Sequence, residues 1–185
     1  MDNNFINNNI EIRLSGSGGQ GLILAGIILA EAAILDGKNV VQTQSYGPEA
    51  RGGSSKAEVI ISNGEIEYPK VREADILLAL TEDAYESYKN AVKKNGLIIL
   101  DSSIKNYDKL DNRILRVSVI ETAYNDLKRP MVVNIISLGV IAKVTSVVSK
   151  ESLIEAIKRK VPKDTVTVNI DAFEKGYNLP VKTDK

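Results

Sequence analysis

"GSGGQG", residues 16 to 21, stands between the run "IEIRLS", residues 10 to 15, and an apolar run from Leu22 to Leu35. The first run alternates apolar and polar residues, the period of a strand. The second is apolar on almost every face and reads as a buried helix. A strand, a glycine-rich turn and a buried helix form the opening unit of an α/β fold. Gly16 permits the turn, Gly18 lets a ligand approach the backbone, and Gly21 lets the helix pack close to the strand. Ser17, Gly19 and Gln20 complete the loop. Free N–H groups at a helix start carry positive partial charge and suit a phosphate. The same glycines also serve a tight connection that holds no ligand.

Working outward, Gly37 suits the left-handed cap position at the end of this helix. "NVVQTQSY", residues 39 to 46, predicts a second strand, and "GPEARGGSS", 47 to 55, a glycine-rich loop. "KAEVIIS", 56 to 62, predicts a third strand, with "NGE" turning it as a hairpin into "IEY". "ADILLALT", 74 to 81, is nearly continuous in apolar residues, as in a strand covered on both faces. "EDAYESYKNAVK", 82 to 93, predicts an amphipathic helix, Asn95-Gly96 a turn, and "LIILDS" another buried strand. "NRILRVSV" is a further strand and "ETAYNDLK" is helical. Pro130 opens a longer helix through residue 148. "SKESLIEAIKRKV" is a helix that Pro162 stops, "VNIDAFEKGYNL" a final helix, and "PVKTDK" a fraying end.

Strands alternating with helices predict a doubly wound, mainly parallel α/β sheet in a Rossmann-like single domain. Helices cover both faces, and the hairpin adds some antiparallel pairing. Residues 1–9, polar and Asn-rich, are expected to be a disordered tail, 10–180 the domain and 181–185 a second tail.

The chain has 185 residues, with 24 Lys and Arg against 24 Asp and Glu, so its formal net charge is zero. That balance argues against a nucleic-acid or membrane-surface binder. The N-terminus lacks a basic region followed by an apolar core, and no apolar stretch reaches membrane-spanning length, so a cytoplasmic location is expected. There is no Cys and no His. A thiolate metal site, a catalytic thiol, an iron–sulfur cluster and a Ser/His triad are therefore excluded from this chain. No carboxylate set has metal-ligand spacing. No catalytic residue and no metal site are expected here; the chemistry belongs to a cofactor or another chain.

The glycine loop matches the dinucleotide fingerprint. That fingerprint also needs an acidic residue ~20 positions on, to hold the ribose. The second strand ends instead in Gln44, Ser45 and Tyr46, and Glu49 is already inside the next loop. "SYGPEARGGSS", 45 to 55, supplies Ser45, Tyr46, Gly47, Arg51, Gly52 and Gly53. Arg51 is a bidentate anion donor. Loops after the strands of a doubly wound sheet share the carboxyl edge, where ligands bind. A solvated surface loop is the alternative. Asp75, Asp101, Glu82 and Asp83 read as caps and turns. Tyr85, Tyr88 and Tyr124 read as packing residues. Asn134 and Ser137 suit either a contact to a neighbouring chain or ligand, or buried capping.

The segment "GSGGQGLILAGIILAEAAILDGKNVVQTQSYGPEARGGSSKAEVIIS", with "YPKVREADILLAL" and "GLIILDSS", resembles the gamma subunits of the 2-oxoacid:ferredoxin oxidoreductases. The likeness covers nearly the whole chain. "QSYGPEARGG" is most similar to the branch acting on 2-oxoglutarate. The resemblance implies that alpha and beta subunits hold thiamine diphosphate and magnesium. It places the iron–sulfur clusters on a ferredoxin-like subunit or domain, with ferredoxin as acceptor. It also implies coenzyme A as a ligand of Gly16 through Gly21 and of Ser45, Tyr46, Gly47, Arg51, Gly52 and Gly53. Ser17 departs from the family's usual apolar, aromatic or Arg residue, which leaves that side chain's role open. Two other readings stand beside this one: a free-standing dinucleotide-binding module, and an assembly scaffold with a vestigial loop.

Overall fold

The computed structural model describes residues 9–46 and 54–183. Its strands are β1 (Asn9–Ser17), β2 (Asn39–Tyr46), β3 (Ser54–Ser62), β4 (Ala74–Ala79), β5 (Val92–Asp101) and β6 (Ile114–Val117). They form one six-stranded sheet in the order β2-β3-β1-β4-β5-β6. β1, β4, β5 and β6 pair parallel. β3 lies antiparallel between β1 and β2. The helices are α1 (Leu22–Leu35), α2 (Glu82–Tyr88), α3 (Val119–Glu121), α4 (Val133–Thr145), α5 (Lys150–Lys160) and α6 (Val166–Tyr177).

The alternation in β1 separates two faces. Ile12 and Leu14 join the main core with α1, α4, α5 and α6. Arg13 and Ser15 point the other way, yet both are buried. Arg13 Nε donates to Glu58 at 2.7 Å, Nη2 donates to the Val71 carbonyl at 2.7 Å, and the guanidinium lies 4.8 Å from the Tyr88 ring centroid. The polar half of this strand pattern is thus an internal ion-pair layer rather than a solvated face. β4 is apolar on both sides for the expected reason: Ile76 and Leu78 enter the main core, while Leu77 and Ala79 enter a second core with Ala84 and Tyr85 of α2.

The mainly parallel, doubly wound α/β architecture therefore holds, but the antiparallel strands differ from those expected. No strand follows β3 in the Asn63–Glu73 segment. Ser62 Oγ accepts from Gly64 N, and Asn39 Nδ2 donates to the Gly64 carbonyl, which turns the chain away from β3. β3 already has β1 on one side and β2 on the other, so no edge is free for a hairpin partner. The helix expected over 82–93 stops at Tyr88, and Val92 already belongs to β5. Asn95-Gly96 is not a turn but lies inside β5, at a register shift against β4. A Cβ on Gly96 would sit 3.0 Å from the Ala74 carbonyl oxygen. α4 ends at Thr145, where Ser146 adopts a left-handed conformation with φ 50°. The segment after α6 does not fray at once: Lys182 and Arg116 exchange backbone hydrogen bonds at 2.8 and 3.0 Å, on the open edge of β6.

Candidate functional site at the carboxyl edge

The loop 16–21 leaves β1 at the carboxyl edge of the sheet and enters α1. Gln20 folds back so that its Oε1 accepts from Ser17 N at 2.8 Å. A Cβ on Gly16 would collide with that amide and lie 3.1 and 3.2 Å from Leu22 and Leu80. Gly19 has φ 89° and Gly21 φ 71°, conformations that disfavour other residues. Gly18 and Gly19 are exposed. Gly21 caps α1 without any side-chain bond.

The expected closeness of helix and strand is real, but Gly26 provides it. A Cβ there would lie 2.9 Å from Ala57 Cβ on β3. Gly21 is instead pressed by Asn134 of α4, whose Nδ2 donates to the Gly21 carbonyl at 3.2 Å. A Cβ on Gly21 would lie 2.8 Å from that same nitrogen. Asn134, buried, is thus a brace from α4 onto the loop, while Ser137 Oγ only donates back to the Val133 carbonyl within its own helix.

Strand register brings the second loop's ends to this place. Ser17 pairs with Ser54, Gly16 with Ser55, and Tyr46 with Ser55 from the other side. The chain leaving β2 after Ser45 and Tyr46 therefore departs beside the glycine loop, and Ser45 is exposed. Gly47, Arg51, Gly52 and Gly53 lie outside the described residues.

The glycine loop separates two cavities. On one side, about 110 Å³ is lined by Ser15, Ser17, Ser54, Thr81, Asp83 and Ser87 among others. Ser15 Oγ is buried there without a hydrogen-bond partner among the described residues. On the other side, about 270 Å³ lies between Ser17–Gln20 and the residues Ile120, Tyr124, Pro130, Met131 and Val133. Tyr124, expected to pack, is 56% exposed, and Met131 is 88% exposed. The sequence reading did not single out Met131; its only signal was an apolar residue just after a proline that starts a helix. Tyr85, in contrast, is buried in the second core as expected.

The acidic residues keep structural work. Asp75 accepts from Glu11 N and Lys93 Nζ at 2.8 and 2.7 Å. Asp101 accepts from Ser103 N and Ile120 N at 2.9 Å each. Thr81 Oγ1 caps α2, with Glu82 and Asp83 in its first turn. Among the described residues no group of three or more Asp or Glu is placed to hold a metal. No described helix is long and apolar enough to cross a membrane.

A Rossmann-like sheet with a glycine loop at its carboxyl edge defines a class of fold rather than one protein. The chain belongs to the pyruvate ferredoxin/flavodoxin oxidoreductase family, which it matches over residues 11–179. It is 49% identical over 173 residues to the 2-oxoglutarate synthase subunit KorC of Methanocaldococcus jannaschii, covering 91% of this chain and 92% of that one. The solved gamma subunit of a keto/oxoacid ferredoxin oxidoreductase from Geobacter sulfurreducens superposes with a TM-score of 0.81 at 45% identity, covering 92% and 95% of the two chains. A 2-oxoglutarate:ferredoxin oxidoreductase from Magnetococcus marinus, solved with 2-oxoglutarate, coenzyme A and succinyl-CoA bound, has a TM-score of 0.83 at 23% identity. This chain is 92% covered there and spans 31% of that one, a likeness of fold alone.

Proposed function

We propose that this chain is the gamma subunit of a 2-oxoglutarate:ferredoxin oxidoreductase and helps to bind coenzyme A. The carrying observation is 49% identity to a 2-oxoglutarate synthase subunit across 91% of the chain. In this reading, alpha and beta partners hold thiamine diphosphate and magnesium, and an iron–sulfur chain or domain passes electrons to ferredoxin. The complex oxidatively decarboxylates 2-oxoglutarate: carbon dioxide leaves, the remaining acyl group passes to the thiol of coenzyme A as succinyl-CoA, and the two electrons released go through the iron–sulfur clusters to ferredoxin. With neither Cys nor His, this chain supplies no thiolate cluster ligand and no imidazole base. Its contribution is a place for the anionic ligand: Gly16, Ser17, Gly18, Gly19, Gln20 and Gly21, with Ser45, Tyr46, Gly47, Arg51, Gly52 and Gly53 from the second loop. Exposed glycines at a helix start leave room for a diphosphate against the backbone. The absence of an acid at the end of β2 disfavours the free-standing dinucleotide module.

Native copurification followed by substrate tests decides the matter. The expected result is a complex with thiamine-bearing chains that reduces ferredoxin with 2-oxoglutarate and coenzyme A, and poorly with pyruvate. A chain that purifies alone and binds NADH rather than coenzyme A overturns the proposal. Within the complex, Gly18→Glu places a carboxylate where the diphosphate should lie and weakens coenzyme A binding. Arg51→Ala costs about 1.5–3 kcal/mol of that binding if its guanidinium makes a charge-assisted contact. A vestigial loop predicts no change in either variant.

A further inference from the structure

The wall facing the glycine loop is unusual in its backbone. Thr122–Asp126 is a π-helical turn, with Leu127 N donating to the Thr122 carbonyl at 3.0 Å. Lys128 follows with φ 52°, a strained conformation for its residue type. Arg129 N then donates to the Ala123 carbonyl at 2.8 Å, and Pro130–Val132 forms a tight helical turn. π-turns and positive φ values at non-glycine residues gather at functional sites. Here they set a backbone path that leaves Tyr124, Lys128, Arg129 and Met131 exposed.

Behind Met131 lies a third, larger cavity of about 470 Å³. Its floor is apolar: Leu24 of α1, Val132, Val161, Pro162 and Val168. Lys128 and Arg129 stand at it, and it shares Pro130 and Met131 with the cavity against the glycine loop. The two cavities therefore adjoin at Pro130 and the exposed Met131. Arg129 is the only described arginine whose side chain has no hydrogen bond, ion pair or ring contact among the described residues; Arg13, Arg72, Arg113, Arg116 and Arg159 are all engaged. Lys128 is likewise unpaired among them.

We infer that the Tyr124–Met131 segment is the specificity wall of the coenzyme A site: the apolar cavity takes the adenine, and Arg129 with Lys128 takes the ribose phosphate. This rests on the glycine loop holding the diphosphate, as proposed above. An adenine ring suits an apolar chamber with a polar group at its lining, here the Asn169 amide, whose Nδ2 donates to the Thr165 carbonyl and whose Oδ1 is left over; Asn134 is already committed to Gly21 and Ile135. A ribose phosphate suits two free cations at the rim. It also removes any need for the acidic ribose ligand that the end of β2 lacks.

The test compares coenzyme A with 3′-dephospho-coenzyme A by calorimetry on the assembled complex. The native complex is expected to prefer coenzyme A by about tenfold, the scale of one charge-assisted contact near solvent. Arg129→Ala should abolish that preference and leave 3′-dephospho-coenzyme A binding unchanged; Arg129→Lys should restore part of it. Arg129 is exposed, so native mass spectrometry should find both variants assembled. If Arg129→Ala leaves the preference intact while Gly18→Glu still weakens coenzyme A binding, the wall is wrong and the glycine-loop reading survives. If Gly18→Glu has no effect either, the site itself is misplaced. If Arg129→Ala or Met131→Asp instead loosens the subunits without changing the preference, a partner chain occupies the cavity and the inference falls.

Discussion

Glycine serves opposite needs at the α4–α6 crossing and at the loop between β1 and α1. At the crossing, Gly139 and Gly176 bring two helix backbones into contact. A Cβ on Gly139 would overlap the Phe173 carbonyl and lie 2.6 Å from Tyr177 N; one on Gly176 would overlap the Ile136 carbonyl. Nothing there opens to solvent, and the glycines act by being small. At the loop, Gly19 has open space around it, Gly18 is exposed, and Gly21 is needed for its φ of 71°. Glycines that meet backbone hold the core together. Gly19, which meets nothing, leaves the loop open on the side where the proposed ligand would lie.

The sharpest way to break this contrast is Gly139→Ala. Backbone cannot step aside as a side chain does, so the loss should approach the upper end of overpacking costs, about 3 kcal/mol. Urea unfolding measures it; a loss under 1 kcal/mol would mean the helices slide apart freely. Gly21→Ala comes next, at about 2 kcal/mol, since it combines a left-handed residue with a contact against Asn134. Unlike Gly139→Ala, it should also weaken coenzyme A binding, because it deforms the loop. Asn134→Ala should cost about 1–2 kcal/mol, because it removes both the bond to the Gly21 carbonyl and the Oδ1 acceptor of Ile135 N, and it should produce the same dual effect more mildly. Equal loss of ligand affinity in Gly139→Ala and Asn134→Ala would dissolve the distinction between core and site.

The smallest expected effect lies at the far end of α1. Asp36 accepts from Ser149 N, Ser149 Oγ and Ser152 Oγ, which ties α1 to the start of α5. Burial works to raise its pKa, but the hydrogen bonds from Ser152 and Ser149, with Lys38 nearby, hold it below its ordinary 3.8. A lowered carboxylate contributes stability above its unfolded pKa, and that contribution fades as pH falls through the lowered value. Asp36→Asn should therefore cost under about 1 kcal/mol at pH 7, reduced by partial exposure, and flatten the acid side of the stability curve. An unchanged acid limb would show that other carboxylates, such as Asp111 held low by Arg113, govern it.

Much of this was legible in the chain. "LILAGIILAEAAIL" delimits α1 to the residue, because a helix apolar all round must be buried and Gly37 ends it with φ 73°. β4 was equally plain. The misplaced hairpin and the overlong α2 share one cause: the turn signals at Asn63-Gly64 and Asn95-Gly96 are local, whereas the neighbouring strands decide the course of the chain there. At Gly96 the glycine answers the Ala74 carbonyl of the adjacent strand, which no local pattern encodes. The site was half visible. The glycine loop announced itself, since strand and helix flank it in the chain. Asn134 lies 113 positions from its partner Gly21, so only packing reveals the pair.

The sequence by itself determined the α/β class, the glycine loop, the absence of thiol and imidazole chemistry, and the family resemblance. Each rests on periodicity, residue type or contiguous motif, which the chain carries locally. Tertiary structure alone decided that β3 runs antiparallel between β1 and β2. It also decided that the polar side of β1 is a buried ion-pair layer, and that Tyr124 and Met131 face the loop rather than the core. Those depend on which distant segments come to share an edge or a cavity, and in this protein that is settled by burying apolar faces together across long separations in sequence.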